Sequence, residues 1–218
     1  MRKKLREKLA EIIKIMKREV KEAPVFKLEE AMEDPFRTLV GALISTRTKD
    51  EKTAEAVKRL FAIAKTPDEL AKLSTKEIEK AIYGVGFYRT KAKNLKATVD
   101  IINEKCGGAV PDKIEELMEL PGVGRKVANI VLATAYQKNA LGVDTHVHRI
   151  SNRLGIVKTK NPHETEKELL RIVPPRYIKE LNRIFVAYGQ TVCRPVSPFC
   201  SICKIRKYCK RINVKKSR

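Results

Sequence analysis

The chain is short of acid. Against 47 lysines and arginines it carries only 26 aspartates and glutamates, a formal net charge of +21 in 218 residues. The cations are spread along the chain and not gathered in a tail. An excess of this kind suits a polyanion, nucleic acid being the commonest, better than an ordinary salt-bridged surface. Long apolar runs are also missing. No stretch approaches the roughly 18 residues needed to cross a bilayer, so a transmembrane span is not expected. The N-terminus, MRKKLREKLAEIIKIMKREV, is basic but has no continuous apolar segment, so it does not read as a secretory signal. The expectation is an intracellular protein with no membrane partner. Glutamine occurs only at Gln137 and Gln190, while charged residues make up 33% of the chain. That combination leans toward a thermophilic source, and we expect a prokaryotic one. Low-complexity segments and long linkers are absent too, so any domain boundary is compact.

What is present is helical periodicity. Leu5, Leu9, Ile12, Ile13, Met16 and Val20 recur at steps of three and four, as do Phe36, Leu39, Val40, Leu43 and Ile44. Asp34-Pro35, Thr66-Pro67 and Asn161-Pro162 each read as an N-cap followed by proline at the first helical position. Ser74 to Glu77 and Asp112 to Glu115 have capping-box spacing. No alternating strand pattern stands out. The fold class is therefore all-α, with ten to twelve helices joined by short turns.

LPGVGRKVANIV, residues 120–131, is the first unusual place. A helix ending at Leu120, a turn Pro121-Gly122-Val123-Gly124 and a new helix from Arg125 would make a hairpin. Glycines permit positive φ and close backbone approach. The amides of Gly122, Val123 and Gly124 would point outward with the first helical N–H groups, an anion site suited to phosphate. Arg125 and Lys126 sit at the wrong end of a helix for cations. A lysine there, near other cations and partly desolvated, is expected to have a lowered pKa, and a neutral amine is a nucleophile that forms Schiff bases. On these residues alone a phosphate-contacting lysine and a catalytic one are equally open. AIYGVGFYRTKAKNL, residues 81–95, echoes this pattern; duplication and independent use of one tight geometry both explain it.

In LGVDTHVHRISNRLG, residues 141–155, Asp144 reads as an N-cap. A carboxylate fixed there could also steady a cation on a sugar or relay a proton. His146 and His148 point to different sides of a helix, and neither is read as a metal ligand. Cys193, Cys200, Cys203 and Cys209 have the spacing C-x6-C-x2-C-x5-C. Disulfides do not suit an intracellular chain. The residues alone leave open an iron–sulfur cluster, which suits a single-pass loop, and a structural zinc ion, which more often takes two separated pairs. Cys106 stands apart as a packed or free thiol.

Together, the LPGVGRK hairpin, the VDTH segment and the four-cysteine loop resemble the endonuclease III family of the helix–hairpin–helix (HhH-GPD) DNA glycosylases, over roughly residues 25–210. The resemblance implies two helical domains flanking a DNA-binding cleft. A six-helix barrel at 28–138 would carry the hairpin, and 1–27 with 139–218 would hold a [4Fe-4S] cluster on the four cysteines. It implies a monomer that acts on double-stranded DNA containing damaged bases or abasic sites. The enzyme would extrude an oxidised pyrimidine, typically thymine glycol, remove it and cut the strand 3′ to the abasic site by β-elimination. Lys126 matches the nucleophile and Asp144 the assisting aspartate. Pro121, Gly122, Val123, Gly124 and Arg125 match the DNA-binding turn, and Ser45, Asp50 and His146 are lesion-pocket candidates. Two positions depart from the family pattern: Arg47 stands where glutamine is common, and Phe87 where a leucine wedge is common. Both can fill the gap left by an extruded base. For Phe87 a core position is the alternative. The adenine-mismatch and thymine-mismatch branches of the superfamily generally lack the hairpin lysine, and 8-oxoguanine glycosylases mostly lack the cysteine loop. A non-catalytic, zinc-stabilised DNA-binding module is the rival of a different class; it would be colourless, where an iron–sulfur protein is yellow-brown.

Overall fold

The computed structural model describes residues 2–20 and 34–218. Among them the regular structure is eleven α-helices and one short 3-10 turn, with no strand. None of these helices is long and apolar enough to cross a membrane. The chain divides into two compact units, Met1–Phe26 with Asn139–Arg218, and Lys27–Lys138. The boundary expected at 27/28 lies outside the described residues; the other falls between Lys138 and Asn139.

In the first unit, helix α1 (Arg2–Glu19) buries the apolar stripe seen in the sequence: Leu9, Ile12, Ile13 and Met16 are at most 1% exposed, and Val20 follows them. Their partners come from the far end of the chain, among them Val147, Ile150, Leu181, Phe185 and Tyr188. Each large aliphatic side chain removed from water contributes roughly 1.5–3 kcal/mol, so this face holds the N-terminal helix to the C-terminal segment. Lys17 pairs with Glu180 at 2.5 Å, and the Tyr208 hydroxyl donates to Glu11, at the rim of the same contact.

The second unit is laid around α2 (Pro35–Ser45), buried at Phe36 and from Thr38 to Ile44, and therefore a central helix. It packs most extensively on α8 (Arg125–Thr134) and also on α3 (Asp50–Ile63) and α6 (Tyr88–Lys105). Short helices α4 (Pro67–Lys72), α5 (Thr75–Ala81) and α7 (Ile114–Glu119) complete it. The start signals hold at Asp34, Thr66 and Asn161, whose side chains accept from the backbone N–H three residues on. Ser74 and Glu77 form the reciprocal capping box. Each such cap contributes about 1 kcal/mol. The box expected at Asp112 does not form. Helix α7 starts after Lys113 with no side-chain cap, because the Asp112 carboxylate turns to the Lys138 ammonium at 2.7 Å.

Candidate functional site

The hairpin lies where the sequence places it, with Leu120 ending α7 and Gly124 preceding α8. Gly122 has φ +80°, the left-handed region, and a Cβ there would stand 2.5 Å from Asn94 Nδ2. The positive φ favours glycine, and any Cβ would also press on the Asn94 side chain. One expectation needs correction: the Val123 amide does not face outward. It closes the turn on Leu120 O at 3.0 Å while its side chain is buried. What remains for an anion is the start of α8, which has no side-chain cap. The first N–H groups of a helix lack intrahelical acceptors, so an uncapped start is an electropositive cradle. Lys126 is its second residue and half-buried. Thr98 on α6 donates to Pro121 O at 3.2 Å, so Asn94 and Thr98, one helical turn apart, seat the hairpin from below.

The echo in the sequence is an echo in geometry. Gly84 has φ +94°, Val85 is buried, and its amide donates to Ile82 O, as Val123 does to Leu120 O. One extra residue, Phe87, then precedes α6. Phe87 is left-handed (φ +57°) and 64% exposed, which removes the core reading for it. Arg47, on the turn between α2 and α3, is exposed and also left-handed, with φ +54°. Its guanidinium lies 5.7 Å from the Phe87 ring centroid, within cation–π range. The structure thus brings together two residues that sequence reasoning paired only by analogy. Ser45 and Asp50 flank this turn. The Ser45 hydroxyl is tied to Ala42 O at 2.9 Å, and Asp50 opens α3.

In the other unit, Asp144 caps α9 (Thr145–Leu154). Its Oδ1 accepts from the amides of His146 and Val147, both at 2.8 Å, so both bonds of the cap end on one oxygen. His146 Nδ1 is 3.0 Å from Arg149 Nη2, and His148 Nδ1 is 2.6 Å from Thr165 Oγ1.

Further along α9, two arginines hold the cysteine loop. Arg149 donates to Cys193 O at 2.8 Å; Arg153 donates to Arg194 O and Pro195 O, both at 2.7 Å, and reaches Cys193 Sγ at 3.5 Å. Cys193, Cys200, Cys203 and Cys209 line one cavity, with Ile150 and Tyr188 among its walls. Tyr188 Oη is 3.2 Å from Cys203 Sγ, and the Arg211 amide donates to Cys209 Sγ at 3.4 Å. Burial pushes the Cys203 and Cys209 thiols up. Among the described residues no three His, Cys, Asp or Glu side chains converge closely enough to hold one metal ion. Cys106 ends α6, away from the cluster in sequence.

Sequence reasoning missed Lys91, Asn94, Thr98, Arg149 and Arg153. In a chain with 47 cations a lysine or arginine reads as solvated surface. The available signal was helical phase: Lys91 falls on the stripe of Leu95, Thr98 and Ile102, and Arg153 on that of Ile150 and Leu154.

The sequence pattern of HhH-GPD superfamily base excision DNA repair proteins matches residues 40–175. Endonuclease III of Thermotoga maritima is 48% identical over 176 residues, covering 81% of this chain and 83% of that protein. Endonuclease III of Rickettsia conorii is 34% identical over 189 residues, 87% and 90% of the two chains. A solved structure of a trapped endonuclease III–DNA covalent intermediate matches with a TM-score of 0.83 at 31% identity, over 94% of this chain and 96% of that one. The chain belongs to the HhH-GPD superfamily of base excision DNA repair proteins and, within it, to the endonuclease III family. It is an enzyme, a DNA glycosylase that is also an abasic-site lyase.

Proposed function

We propose that the enzyme, as a monomer, binds double-stranded DNA, removes oxidised pyrimidines such as thymine glycol and cuts the strand 3′ to the abasic site. The observation that carries this reading is the hairpin at 120–126, where an uncapped helix start and a half-buried lysine occupy consecutive positions. A phosphate docked on Pro121–Arg125 would lie beside the sugar whose C1′ faces the Lys126 amine. The amine attacks C1′; the C1′–N bond breaks and the base leaves with the electron pair and takes up a proton. The amine nitrogen sheds its proton, the sugar ring opens and an imine joins Nζ to C1′. Removal of a C2′ proton expels the 3′ phosphate, and water later hydrolyses the imine to return the amine. Asp144 offers a carboxylate held by the cap on Oδ1, suited to stabilising the positive charge that develops on the sugar and to carrying a proton. Arg47 and Phe87, exposed and stacked, suit filling the space left by the extruded base, with Ser45 and Asp50 beside them. A net charge of +21 supports the attraction to DNA.

Cys193, Cys200, Cys203 and Cys209 would hold a [4Fe-4S] cluster. Four thiols lining one cavity, supplied by a single-pass loop with only one C-x2-C pair, support a multi-atom cluster over zinc. Bound, the cluster supplies a rigid cross-link for the C-terminal loop, and the sugar chemistry stays with Lys126 and Asp144.

The test is borohydride trapping on a duplex with one thymine glycol, with Lys126→Ala in parallel. A covalent adduct that needs Lys126 is expected. Retained strand cutting by Lys126→Ala would overturn the assignment of the nucleophile. An adduct on an abasic duplex only would overturn the lesion class.

A further inference from the structure

Lys91 lies in the first turn of α6, and its side chain is buried, with the residue 8% exposed. A buried ammonium is costly unless each of its N–H groups finds an acceptor. Here all three do. Nζ donates to Ile44 O at 2.6 Å, to Thr46 O at 2.7 Å and to Thr48 Oγ1 at 2.8 Å. The acceptors bracket Arg47 on both sides, and all three are uncharged. Thr48 Oγ1 also accepts from the Gly86 amide at 3.1 Å. Gly86 is glycine because a Cβ there would meet Arg47 O at 2.6 Å. One ammonium therefore ties the turn that carries Arg47, and through Thr48 that turn is tied to the loop that carries Phe87. The Thr48 amide closes the same turn on Ser45 O at 3.1 Å, and the tether adds to that bond in keeping Arg47 at a left-handed φ of +54°, which a non-glycine residue adopts only against a penalty.

We infer that Lys91 is a positioning residue that holds Arg47 against Phe87 and thereby sets how firmly the enzyme grips DNA with a vacant base position. The inference rests on the gap-filling reading of Arg47 and Phe87. Buried with all three N–H groups on the turn, Lys91 acts through the turn it clamps. Burial brings its pKa down to about 8, so the amine is still mostly charged at neutral pH and keeps its three N–H donors.

The experiment measures affinity for a duplex carrying a tetrahydrofuran abasic analogue and for the intact duplex. A 2-aminopurine opposite the analogue reports stacking of the unpaired base. The proteins are the wild type, Arg47→Ala, Lys91→Met and the double variant. Arg47→Ala and Lys91→Met are each expected to lower the preference for the gapped duplex about fivefold and to raise the 2-aminopurine signal. The double variant should add nothing to either, because side chains acting through one another are not additive. An unchanged preference in Arg47→Ala would remove the gap-filling reading, and the role of Lys91 with it. A changed preference in Arg47→Ala with none in Lys91→Met, or effects that add, would overturn the Lys91 inference alone. Lys91→Gln, which keeps two N–H donors, replaces Lys91→Met if the latter does not fold, and the same outcomes decide.

Discussion

The side-chain amide of Asn94 stands where any side chain at Gly122 would have to go, 2.5 Å from the position of a Cβ. The hairpin turn is thus seated on α6 by steric fit as well as by its positive φ. Gly122→Ala should strain the backbone by about 1–3 kcal/mol and push the turn off Asn94. Gly107 is the control, because its φ is +60° but nothing lies within 4 Å of its Cβ position. Both variants should lose stability in thermal melts. Only Gly122→Ala should also lose affinity for duplex DNA, in a fluorescence anisotropy titration. Equal affinity losses in the two would mean that the fit to Asn94 does not matter to binding.

Asp144 combines a cap with a proposed chemical role, and one substitution separates them. Asparagine caps a helix about as well as aspartate, whereas alanine loses roughly 1 kcal/mol. Asp144→Asn should therefore melt within a degree or two of the wild type, while single-turnover excision falls by about 10²-fold or more. Asp144→Ala should lose both. Wild-type excision by Asp144→Asn would reduce Asp144 to a structural cap.

Arg153 holds the start of the loop that opens the cysteine cluster, through Arg194 O, Pro195 O and Cys193 Sγ. Residues that orient metal ligands typically change metal affinity by about 10- to 100-fold when removed. Arg153→Met is expected to lose iron to a chelator faster than the wild type, read as bleaching of the brown colour and as iron per chain. Unchanged retention would show that the loop is held by its cysteines alone.

Helix starts were legible in the sequence because their chemistry is local: Thr66, Ser74 and Asn161 bond to residues three positions on. Asp112 looked the same on paper, but its partner is Lys138, 26 residues away, and spacing says nothing about such a partner. The hairpin, Asp144 and the four cysteines stand out because each needs unusual residue types at fixed offsets. The left-handed turns at Arg47 and Phe87 left no trace, since only glycine advertises positive φ. Lys91 was hidden for a related reason. Its use depends on two carbonyls and a hydroxyl from another helix end, and a carbonyl has no sequence signature.

Lys91 also makes a prediction about stability and pH. Its amine faces only uncharged acceptors; the charged residues of the turn it holds are Arg47 and Lys49, both exposed, with Asp50 opening the next helix. Burial lowers its pKa from 10.5 to about 8 in the folded protein. Between those values the unfolded chain binds more protons than the folded one, so this residue makes stability rise with pH. The contribution is complete above the unfolded value and is lost as the pH falls through the folded one, amounting to roughly 3 kcal/mol. Lys91→Met lacks it, while the other lysines titrate alike in both proteins and cancel. Urea unfolding of the two at about pH 7 and about pH 10 should show the wild type gaining on the variant by a few kcal/mol, in order of magnitude. A difference that stays flat across this range would mean that the three hydrogen bonds to the ammonium offset the cost of burying it, leaving no pH-dependent term at Lys91.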